Sequence, residues 1–235
     1  MQIETFQHLG RREEQQDAYF ISSDNKLFLV CDGAGGMENG ALASNLAIKT
    51  ISEAYSRQSG ILDLADFKSM IYESIYKINS LLDKNVATTL VCLYIDNEYA
   101  LYCHLGDSKL FYFNEKNNSW IATKDHSIVQ ELFDAGIIKT EEEILNHPLR
   151  NRITKAITPG IMPAPDDLEV EKIKNLNPGS IFVLCSDGVL EKTTNSAFAG
   201  VFNQQTSDLN EKVEIIRHQC VQKSADNCTL IAIEI

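Results

Sequence analysis

A chain of 235 residues that is 44% hydrophobic and 23% charged has the composition of a folded globular protein, with room for one large domain or two small ones. The formal net charge of −12 argues against nucleic acid or an anionic membrane as a partner, because both attract basic protein faces. The surplus of carboxylates suits hard divalent cations instead.

The cysteine pattern indicates a reducing compartment. The chain has six cysteines, mostly inside apolar runs such as LFLVC and FVLC, with no CxxC pair and no Cys/His cluster at zinc-ligand spacing. We expect buried free thiols. The first residues carry no apolar signal segment, and no run of about 18 apolar residues occurs, so the predicted location is the cytoplasm.

The first third of the chain predicts two strands followed by two helices. The runs AYFISS and KLFLVCD are rich in β-formers and are separated by turn residues, and NGALASNLAIKTISEAY is rich in helix formers. Between residues 61 and 82, apolar side chains recur at helical spacing over about six turns. This second helix is predicted to belong to the core.

The middle of the chain changes to strand patterns. ATTLVCLYI, EYALYCHLGD, KLFYFNE and SWIATKD are short β-rich runs with short connections, which predicts an antiparallel meander. A helix over residues 129–135 is predicted to end at Gly136. Residues 140–167 lack strong periodicity and contain several prolines, and such a long irregular segment is often functional.

The last third completes an α+β pattern. LEVEKIK, PGSIFVLC and the closing NCTLIAIEI read as strands, and two helices are predicted near residues 196–202 and 209–222. Because no linker or repeat interrupts the chain, we expect one domain over residues 1–235, with helices covering an antiparallel core.

Aspartates stand at the edges of several predicted strands. They are Asp17, Asp32, Asp107, Asp187 and Asp226. Each alone is explained by a turn or a cap, since Asp-Gly is a common turn. As a set at one rim of a core they would repel each other and resist ionisation unless a cation neutralised them. Oxygen ligands of this kind suit Mg²⁺ or Mn²⁺ rather than zinc or copper.

An ordered series of motifs resembles the PP2C (PPM) family of metal-dependent serine/threonine protein phosphatases, in its compact bacterial form. In chain order it comprises GRREEQQDA, VCDGAGG, ATTLV, LGDSKLF, KDHS, RNRITKAI, LCSDGVLE and SADNCTLI. The resemblance implies an α-β-β-α sandwich, in which two antiparallel sheets are flanked by helices. It also implies that residues 140–167 form a flap subdomain beside the active site and influence which phosphoprotein is accepted.

The resemblance further implies a binuclear metal centre. Asp32 would bridge two ions, Asp187 and Asp226 would complete the protein ligands of one, and the Gly33 carbonyl would serve the other. Asp17 would hydrogen-bond to metal-bound water without contacting a metal ion itself. The two ions would activate a bridging water for direct attack on phosphorus.

Other residues take roles around this centre. Arg12 matches the arginine that grips the substrate phosphate, for which a guanidinium fork is suited. A third ion is implied at Asp107, sharing Asp187, with Glu191 as a further contributor. Gly35 and Gly36 would keep side chains away from the incoming phosphate.

The sequence departs from the family pattern at several positions. Ala34 stands where members with DGHGG have a histidine proposed as the general acid, so another group must protonate the leaving group. Gln16 replaces a glutamate beside Asp17, and together with Asn227 it is expected just behind the metal ligands. Lys109 replaces an arginine, and His126 of KDHS is expected to be structural.

The predicted function is hydrolysis of phosphoserine and phosphothreonine in proteins, with two Mn²⁺ or Mg²⁺ ions and a third implied. The expected partners are substrates of a cognate serine/threonine kinase, and the chain is expected to be a monomer. Two alternatives remain open at this point: a phosphoprotein-binding regulatory module on the same fold, and a hydrolase of small phosphoesters.

Overall fold

The computed structural model describes residues 1–34, 39–83, 85–162, 168–204 and 208–235, and every structural statement below refers to these ranges. The strands are β1 (Gln2–His8), β2 (Asp17–Ile21), β3 (Leu27–Ala34), β4 (Ala87–Thr88), β5 (Leu90–Ile95), β6 (Tyr99–Leu105), β7 (Lys109–Asn114), β8 (Ser119–Ala122), β9 (Val170–Lys174), β10 (Ile181–Cys185) and β11 (Cys228–Glu234). The helices are α1 (Gly40–Ser56), α2 (Leu64–Leu81), α3 (Ile128–Asp134), α4 (Glu141–Leu145), α5 (Asn195–Phe202) and α6 (Leu209–Lys223).

The strands form two antiparallel sheets packed face to face. One sheet has five strands in the order β1-β11-β10-β7-β8, and the other has six, with the path β2-β3-β5-β6-β9 and β4 paired to β3. Helices α1 and α2 cover the six-stranded sheet, and α5 and α6 cover the five-stranded one. The predicted α+β sandwich of two antiparallel sheets flanked by helices is therefore confirmed.

Strand β3 shows why the strands read as continuous apolar runs. Phe28 and Val30 point into the core between the sheets, whereas Leu29 and Cys31 pack with α1 and α2. All four side chains are fully buried. Because successive side chains of a strand point to opposite faces, a strand covered on both sides is apolar at every position.

Helix α5 packs on the five-stranded sheet mainly through aromatic side chains. Phe198 and Phe202 of α5 contact Phe111 and Phe113 of β7, with ring centroids 4.7 and 5.2 Å apart. Truncating a phenylalanine in such a core to alanine typically costs about 3–5 kcal/mol. The packing therefore fixes α5 close to the residues that follow β10.

Strand β1 is absent from the predicted elements. It is an edge strand paired with β11, and Phe6 is its only buried residue. The run QIETFQH therefore carries little apolar signal. The pairing with β11 matters for function, because it brings the segment after β1, residues 9–16, beside the turn that precedes β11.

The predicted meander through the middle of the chain is wrong at one connection. Strands β6 and β7 belong to different sheets, although only residues 106–108 separate them. Gly106 has a φ of +101°, which glycine adopts readily, and a Cβ there would lie 2.6 Å from the side chain of Thr89. A short connection favours a hairpin in sequence-based reasoning, but here it carries the chain from one sheet to the other.

The helix predictions are close to the observed bounds. The predicted helix at 129–135 is α3, and those near 196–202 and 209–222 are α5 and α6. The 140–167 segment contains α4, which was not predicted, and its residues 163–167 lie outside the described ranges. All six cysteines are free and buried, as expected. Among the described residues, none of the helices combines the length and apolar character needed to span a bilayer.

Candidate metal centre and active site

Aspartates from both sheets meet at one end of the sandwich. Asp17 opens β2 and pairs in register with Asp32 near the end of β3. Asp187 follows β10, and Asp226 lies in the turn before its neighbouring strand, β11. Asp32, Asp187 and Asp226 line one cleft. The predicted clustering of these carboxylates is thus a feature of the structure.

Thr89 fixes the backbone of Asp32. The Asp32 N–H donates to Thr89 Oγ1 at 2.9 Å, and the Thr89 N–H donates to the Asp32 carbonyl at 2.8 Å. The Thr89 hydroxyl is itself 2.6 Å from the hydroxyl of Ser108, which lies in the crossing between the sheets. Both hydroxyl side chains are buried, so the end of β3 is held in a single position.

Asp17 is a buried carboxyl with one unsatisfied oxygen. Its Oδ2 accepts a hydrogen bond from Ser186 Oγ at 2.7 Å, whereas Oδ1 is buried without a protein partner. Burial raises the pKa of Asp17 to about 7, the hydrogen bond from Ser186 opposes the shift, and the charges of Asp187 and Asp226 add to it.

Asp32 and Asp187 also resist ionisation. Burial is the main cause in both, and it raises the pKa of Asp187 to about 6, with a further contribution from Asp226. The pKa of Asp32 lies well above its usual value, because burial is reinforced by the charges of Asp17 and Asp187. Oδ1 of Asp187 is buried without a partner, like Oδ1 of Asp17.

These properties fit hard divalent cations. Orphaned carboxylate oxygens beside further carboxylates form an all-oxygen donor set of the kind that Mg²⁺ and Mn²⁺ prefer. Within the described ranges, however, no group of three or more acidic, histidine or cysteine side chains has the arrangement of a preformed metal site.

Arg12 holds the carboxylate of Asp226. Its Nε donates to Oδ1 at 2.8 Å and its Nη2 donates to Oδ2 at 2.7 Å, which is the bidentate fork typical of arginine and carboxylate. The hydrogen bond to Asp226 raises the pKa of the guanidinium, which burial opposes. The Arg12 side chain is 54% exposed and lines the same cleft. The predicted phosphate ligand and a predicted metal ligand are therefore paired with each other.

The carbonyl of Gly33 lies in a tight cradle. A Cβ on Gly40, the first residue of α1, would be 2.6 Å from the Gly33 oxygen, and a Cβ on Gly33 would be 1.9 Å from the Gly40 oxygen. The Gln16 amide would lie about as close, with its Nε2 atom 3.0 Å from a Cβ on Gly40. Only glycines allow this approach, which sets the position of the Gly33 carbonyl.

Gln16 and Asn227 connect the segment before β2 to the turn before β11. The Gln16 N–H donates to Asn227 Oδ1 at 2.8 Å, and the Gln16 carbonyl accepts from the Gly33 N–H at 3.1 Å. Asn227 Nδ2 donates to the Leu9 carbonyl at 2.9 Å, and its N–H donates to Asp226 Oδ1 at 2.9 Å. These hydrogen bonds fix the backbone beside the candidate metal ligands, and Gln16 also lines the cleft.

The cleft at this end of the sandwich has a volume of about 520 Å³. It is lined by Arg11, Arg12, Glu13, Glu14, Gln16, Asp32, Gly33, Ala34, Ala87, Thr88, Thr89, Asp107, Asn151, Ile153, Asp187 and Asp226. Its half-buried lining is mainly acidic, and its exposed lining carries the arginines Arg11 and Arg12 together with Glu13 and Glu14. The predicted roles of Gly35 and Gly36 concern residues outside the described ranges.

Comparison with known proteins identifies the family. The family model described as protein phosphatase 2C matches residues 6–222 of this chain. The chain belongs to the protein phosphatase 2C family.

Relatives and solved structures agree with this assignment over nearly the full length. A putative protein phosphatase 2C-type of Streptococcus pyogenes is 27% identical over 242 residues, covering 98% of this chain and 96% of the relative. The serine/threonine phosphatase of S. agalactiae superposes with a TM-score of 0.83 at 25% identity, covering 100% of this chain and 99% of the other. The catalytic domain of the phosphatase PstP, in complex with two manganese ions, shares the fold with a TM-score of 0.82 at 21% identity, covering 99% and 97%.

Asp107 and Glu191, the residues predicted at a third ion, have different surroundings. Burial, Asp187 and Asp125 raise the pKa of Asp107 well above its usual value, so it extends the acidic cluster. Glu191 is engaged instead: its Oε2 accepts from the N–H of Ala225 at 2.6 Å, and its Oε1 lies 2.9 Å from Nζ of Lys192. These contacts position the turn before β11, and the contribution of Glu191 to a third ion stays a prediction.

Lys109, which departs from the protein phosphatase 2C pattern, and His126 of the KDHS motif both have structural contacts. Lys109 is buried and forms an ion pair with Asp125 beneath Asp107. His126 accepts the N–H of Gly106 on Nδ1 at 3.1 Å and stacks on His104, with ring centroids 4.5 Å apart. Both residues support the crossing between the sheets.

Sequence reasoning missed the hydroxyl side chains that hold the carboxylates. Thr89 and Ser186 stand inside the quoted motifs ATTLV and LCSDGVLE, next to residues of the cluster. Their proximity in sequence was a usable signal for Ser186, which adjoins Asp187. No local pattern pairs Thr89 with Asp32, because the two lie 57 residues apart.

Proposed function

We propose that this member of the protein phosphatase 2C family hydrolyses phosphoserine and phosphothreonine monoesters in proteins, with divalent metal ions. The observation that carries the proposal is the cleft in which Arg12 lies beside the carboxylate cluster of Asp32, Asp187 and Asp226. Relatives named as serine/threonine phosphatases, from Listeria for example, support the substrate class.

Asp32, Asp187, Asp226 and the Gly33 carbonyl would hold two Mn²⁺ or Mg²⁺ ions. The unpartnered oxygen of Asp187 and the raised pKa of its neighbours support this ligand set, and the two manganese ions of PstP support the number. When bound, such ions supply a nucleophilic water at neutral pH and neutralise charge on the phosphoryl oxygens. Asp107, sharing Asp187, is proposed as the site of a third ion.

Arg12 is proposed to grip the phosphate of the substrate. Its fork fits two phosphoryl oxygens as well as it fits the Asp226 carboxylate, and the side chain is half exposed at the cleft. A cation at Asp226 competes with the guanidinium for the same carboxylate oxygens. Metal binding would therefore free Arg12 for the phosphate.

Asp17 is proposed to orient the reacting water from behind the ligands. Ser186 holds one of its carboxylate oxygens, so the second oxygen keeps a fixed direction without a protein partner. Ala34 carries no group that can donate a proton to the leaving oxygen. Nδ1 of His126 accepts a hydrogen bond from the N–H of Gly106, which supports a structural role for this histidine.

The substrates are proposed to be proteins phosphorylated by a serine/threonine kinase, and the chain is proposed to act as a monomer in the cytoplasm. The net charge of −12 is unfavourable for association with nucleic acid or anionic membranes. The segment 140–167 is proposed as a flap subdomain that selects among phosphoproteins. In its described part, Asn151 and Ile153 line the cleft, which supports contact with the substrate.

The test is phosphate release from a phosphothreonine peptide and from p-nitrophenyl phosphate, with Mn²⁺ or with EDTA. We expect Mn²⁺-dependent turnover of both substrates, which Asp32→Asn abolishes while the circular dichroism spectrum stays unchanged. Arg12→Ala should lower kcat/KM, and Arg57→Ala, which changes an exposed arginine that does not line the cleft, is its matched control. Absence of Mn²⁺-dependent turnover would refute the proposed phosphatase activity. Turnover of p-nitrophenyl phosphate alone would favour a hydrolase of small phosphoesters.

A further inference from the structure

A chain of polar contacts runs from the 140–152 segment to the turn that carries Asp226. It begins at Arg150, whose side chain is 24% exposed. Nη1 of Arg150 donates to the Glu191 carbonyl at 2.6 Å, and Nη2 lies 3.8 Å from Glu191 Oε1. Nη1 also lies 3.4 Å from the carbonyl of Leu145 at the end of α4. Arg150 thus ties α4 to the residues that follow Asp187.

Glu191 carries the contact onward to the metal-ligand turn. Its Oε2 accepts the N–H of Ala225 at 2.6 Å, the hydroxyl of Ser224 at 2.8 Å and the N–H of Asp226 at 3.3 Å. Burial opposes the charge of Glu191, yet these hydrogen bonds and Lys192 lower its pKa to about 2. These three hydrogen bonds set the direction of the Asp226 backbone.

A second contact supports the same segment. Glu141 Oε2 accepts the N–H of Ser196 in the first turn of α5 at 2.9 Å. A small cavity of about 90 Å³ lies between α4 and the residues after Asp187, and both Arg150 and Glu191 line it. The 140–152 segment is therefore attached to the body of the protein next to the candidate metal centre rather than at a distance from it.

We propose that Arg150 and Glu191 act as a positioning relay, which couples the placement of the 140–152 segment to the binding of a divalent cation at Asp226. The inference rests on the proposed metal centre and gives a positioning role to two residues that connect the 140–152 segment with the turn carrying Asp226. Residues behind metal ligands typically change metal affinity by about 10–100-fold when they are replaced. Coupling between two sites is reciprocal, so a cation that orders the segment is itself bound more tightly when the segment is in place.

The test compares Arg150→Met with Arg152→Met. Arg152 is exposed, stands two residues away and makes no side-chain hydrogen bond within the described ranges, so it is a matched control. Mn²⁺ binding is measured by isothermal titration calorimetry, and amide hydrogen exchange of residues 140–152 is measured with and without Mn²⁺. We expect Arg150→Met to weaken Mn²⁺ binding by about 10-fold and to remove the Mn²⁺-induced protection of the segment. Arg152→Met should change neither quantity.

Glu191 provides the second arm of the test. Glu191→Gln keeps an acceptor oxygen for the Ala225 N–H but loses the charge that faces Arg150. It should therefore weaken Mn²⁺ binding less than Glu191→Ala does. The double variant Arg150→Met, Glu191→Gln should lose less Mn²⁺ affinity than the sum of the two single losses, because the effects of residues in one network are not additive.

The outcomes separate the relay from the proposed function. If the unchanged chain binds no Mn²⁺, both are overturned. If it binds Mn²⁺ and Arg150→Met binds equally well with normal protection of the segment, the relay alone is overturned. Should Arg150→Met fail to fold, Arg150→Lys serves the same comparison, since lysine keeps the charge but cannot make the forked contact.

Discussion

Raising the pH from 5 to 8 in the presence of EDTA should destabilise the folded chain. Asp17 has a pKa of about 7 in the folded state, against an ordinary value of 3.8. Between these values the folded state holds a proton that the unfolded state releases, so unfolding becomes more favourable as the pH rises. The stabilisation from the proton on Asp17 is complete below pH 4 and is lost as the pH rises through 7.

The size of the effect follows from the same values. From pH 5 to 8, Asp17 changes the free energy of unfolding by about 2 pH units at about 1.4 kcal/mol each, or about 3 kcal/mol. Asp187, with a pKa of about 6, adds about 1 kcal/mol in the same direction. Glu191, with a pKa lowered to about 2, stays ionised throughout this range. His104 acts in the opposite sense, because burial lowers its pKa and its charging opposes folding at low pH.

The assay is urea unfolding at pH 5 and pH 8 in EDTA, for the unchanged chain, Asp17→Asn and Asp63→Asn. Asparagine at position 17 still accepts from Ser186 but does not titrate, so the loss of stability at pH 8 should shrink by about 3 kcal/mol. For a chain of this size that is about 6–12 °C in Tm. Asp63 caps α2 on the surface, and its asparagine variant should retain the full pH dependence. If the free energy of unfolding of Asp17→Asn fell between pH 5 and pH 8 as much as that of the unchanged chain, the raised pKa of Asp17 would be refuted.

Three further predictions concern the same cluster. Gly40→Ala should weaken Mn²⁺ binding by about 10-fold in calorimetry by displacing the Gly33 carbonyl. Gly200→Ala, which has open space in α5, should instead raise the free energy of unfolding by about 0.5–1 kcal/mol. Equal Mn²⁺ affinity of the two variants would contradict the role of Gly40 in placing the Gly33 carbonyl. Ser186→Ala should destabilise by about 1–3 kcal/mol in urea unfolding, because it leaves a buried carboxylate unpaired, whereas Ser80→Ala on the surface of α2 should not. Stabilisation by Mn²⁺ in thermal unfolding should be larger at pH 8 than at pH 5, since protons compete for the same oxygens; the reverse order would count against a carboxylate metal site.

Much of the acidic cluster was predictable, because its members stand at the ends of strands that the sequence marks clearly. Asp32 and Asp187 each follow an apolar run, and Asp226 precedes one. Such positions lie at the edges of sheets whatever the strand order is. The resemblance to a family then supplied an order of motifs that composition alone does not provide.

Contacts between distant parts of the chain were not predictable in the same way. Arg12 and Asp226 are 214 residues apart, and their pairing depends on β1 and β11 being neighbours. β1 carries too little apolar signal to be recognised. The engagement of Glu191 with the Ala225 N–H is likewise a tertiary contact, which neither spacing nor the family resemblance indicated.

The most direct test of the central claim is one titration that records two quantities. Mn²⁺ is added to the unchanged chain and to Asp32→Asn while bound metal and phosphate release from a phosphothreonine peptide are both measured. We predict that turnover of the unchanged chain rises with metal occupancy, and that Asp32→Asn loses both tight Mn²⁺ binding and turnover. Full turnover by Asp32→Asn, or turnover that is independent of bound Mn²⁺, would contradict the assignment of this cluster as the catalytic metal centre.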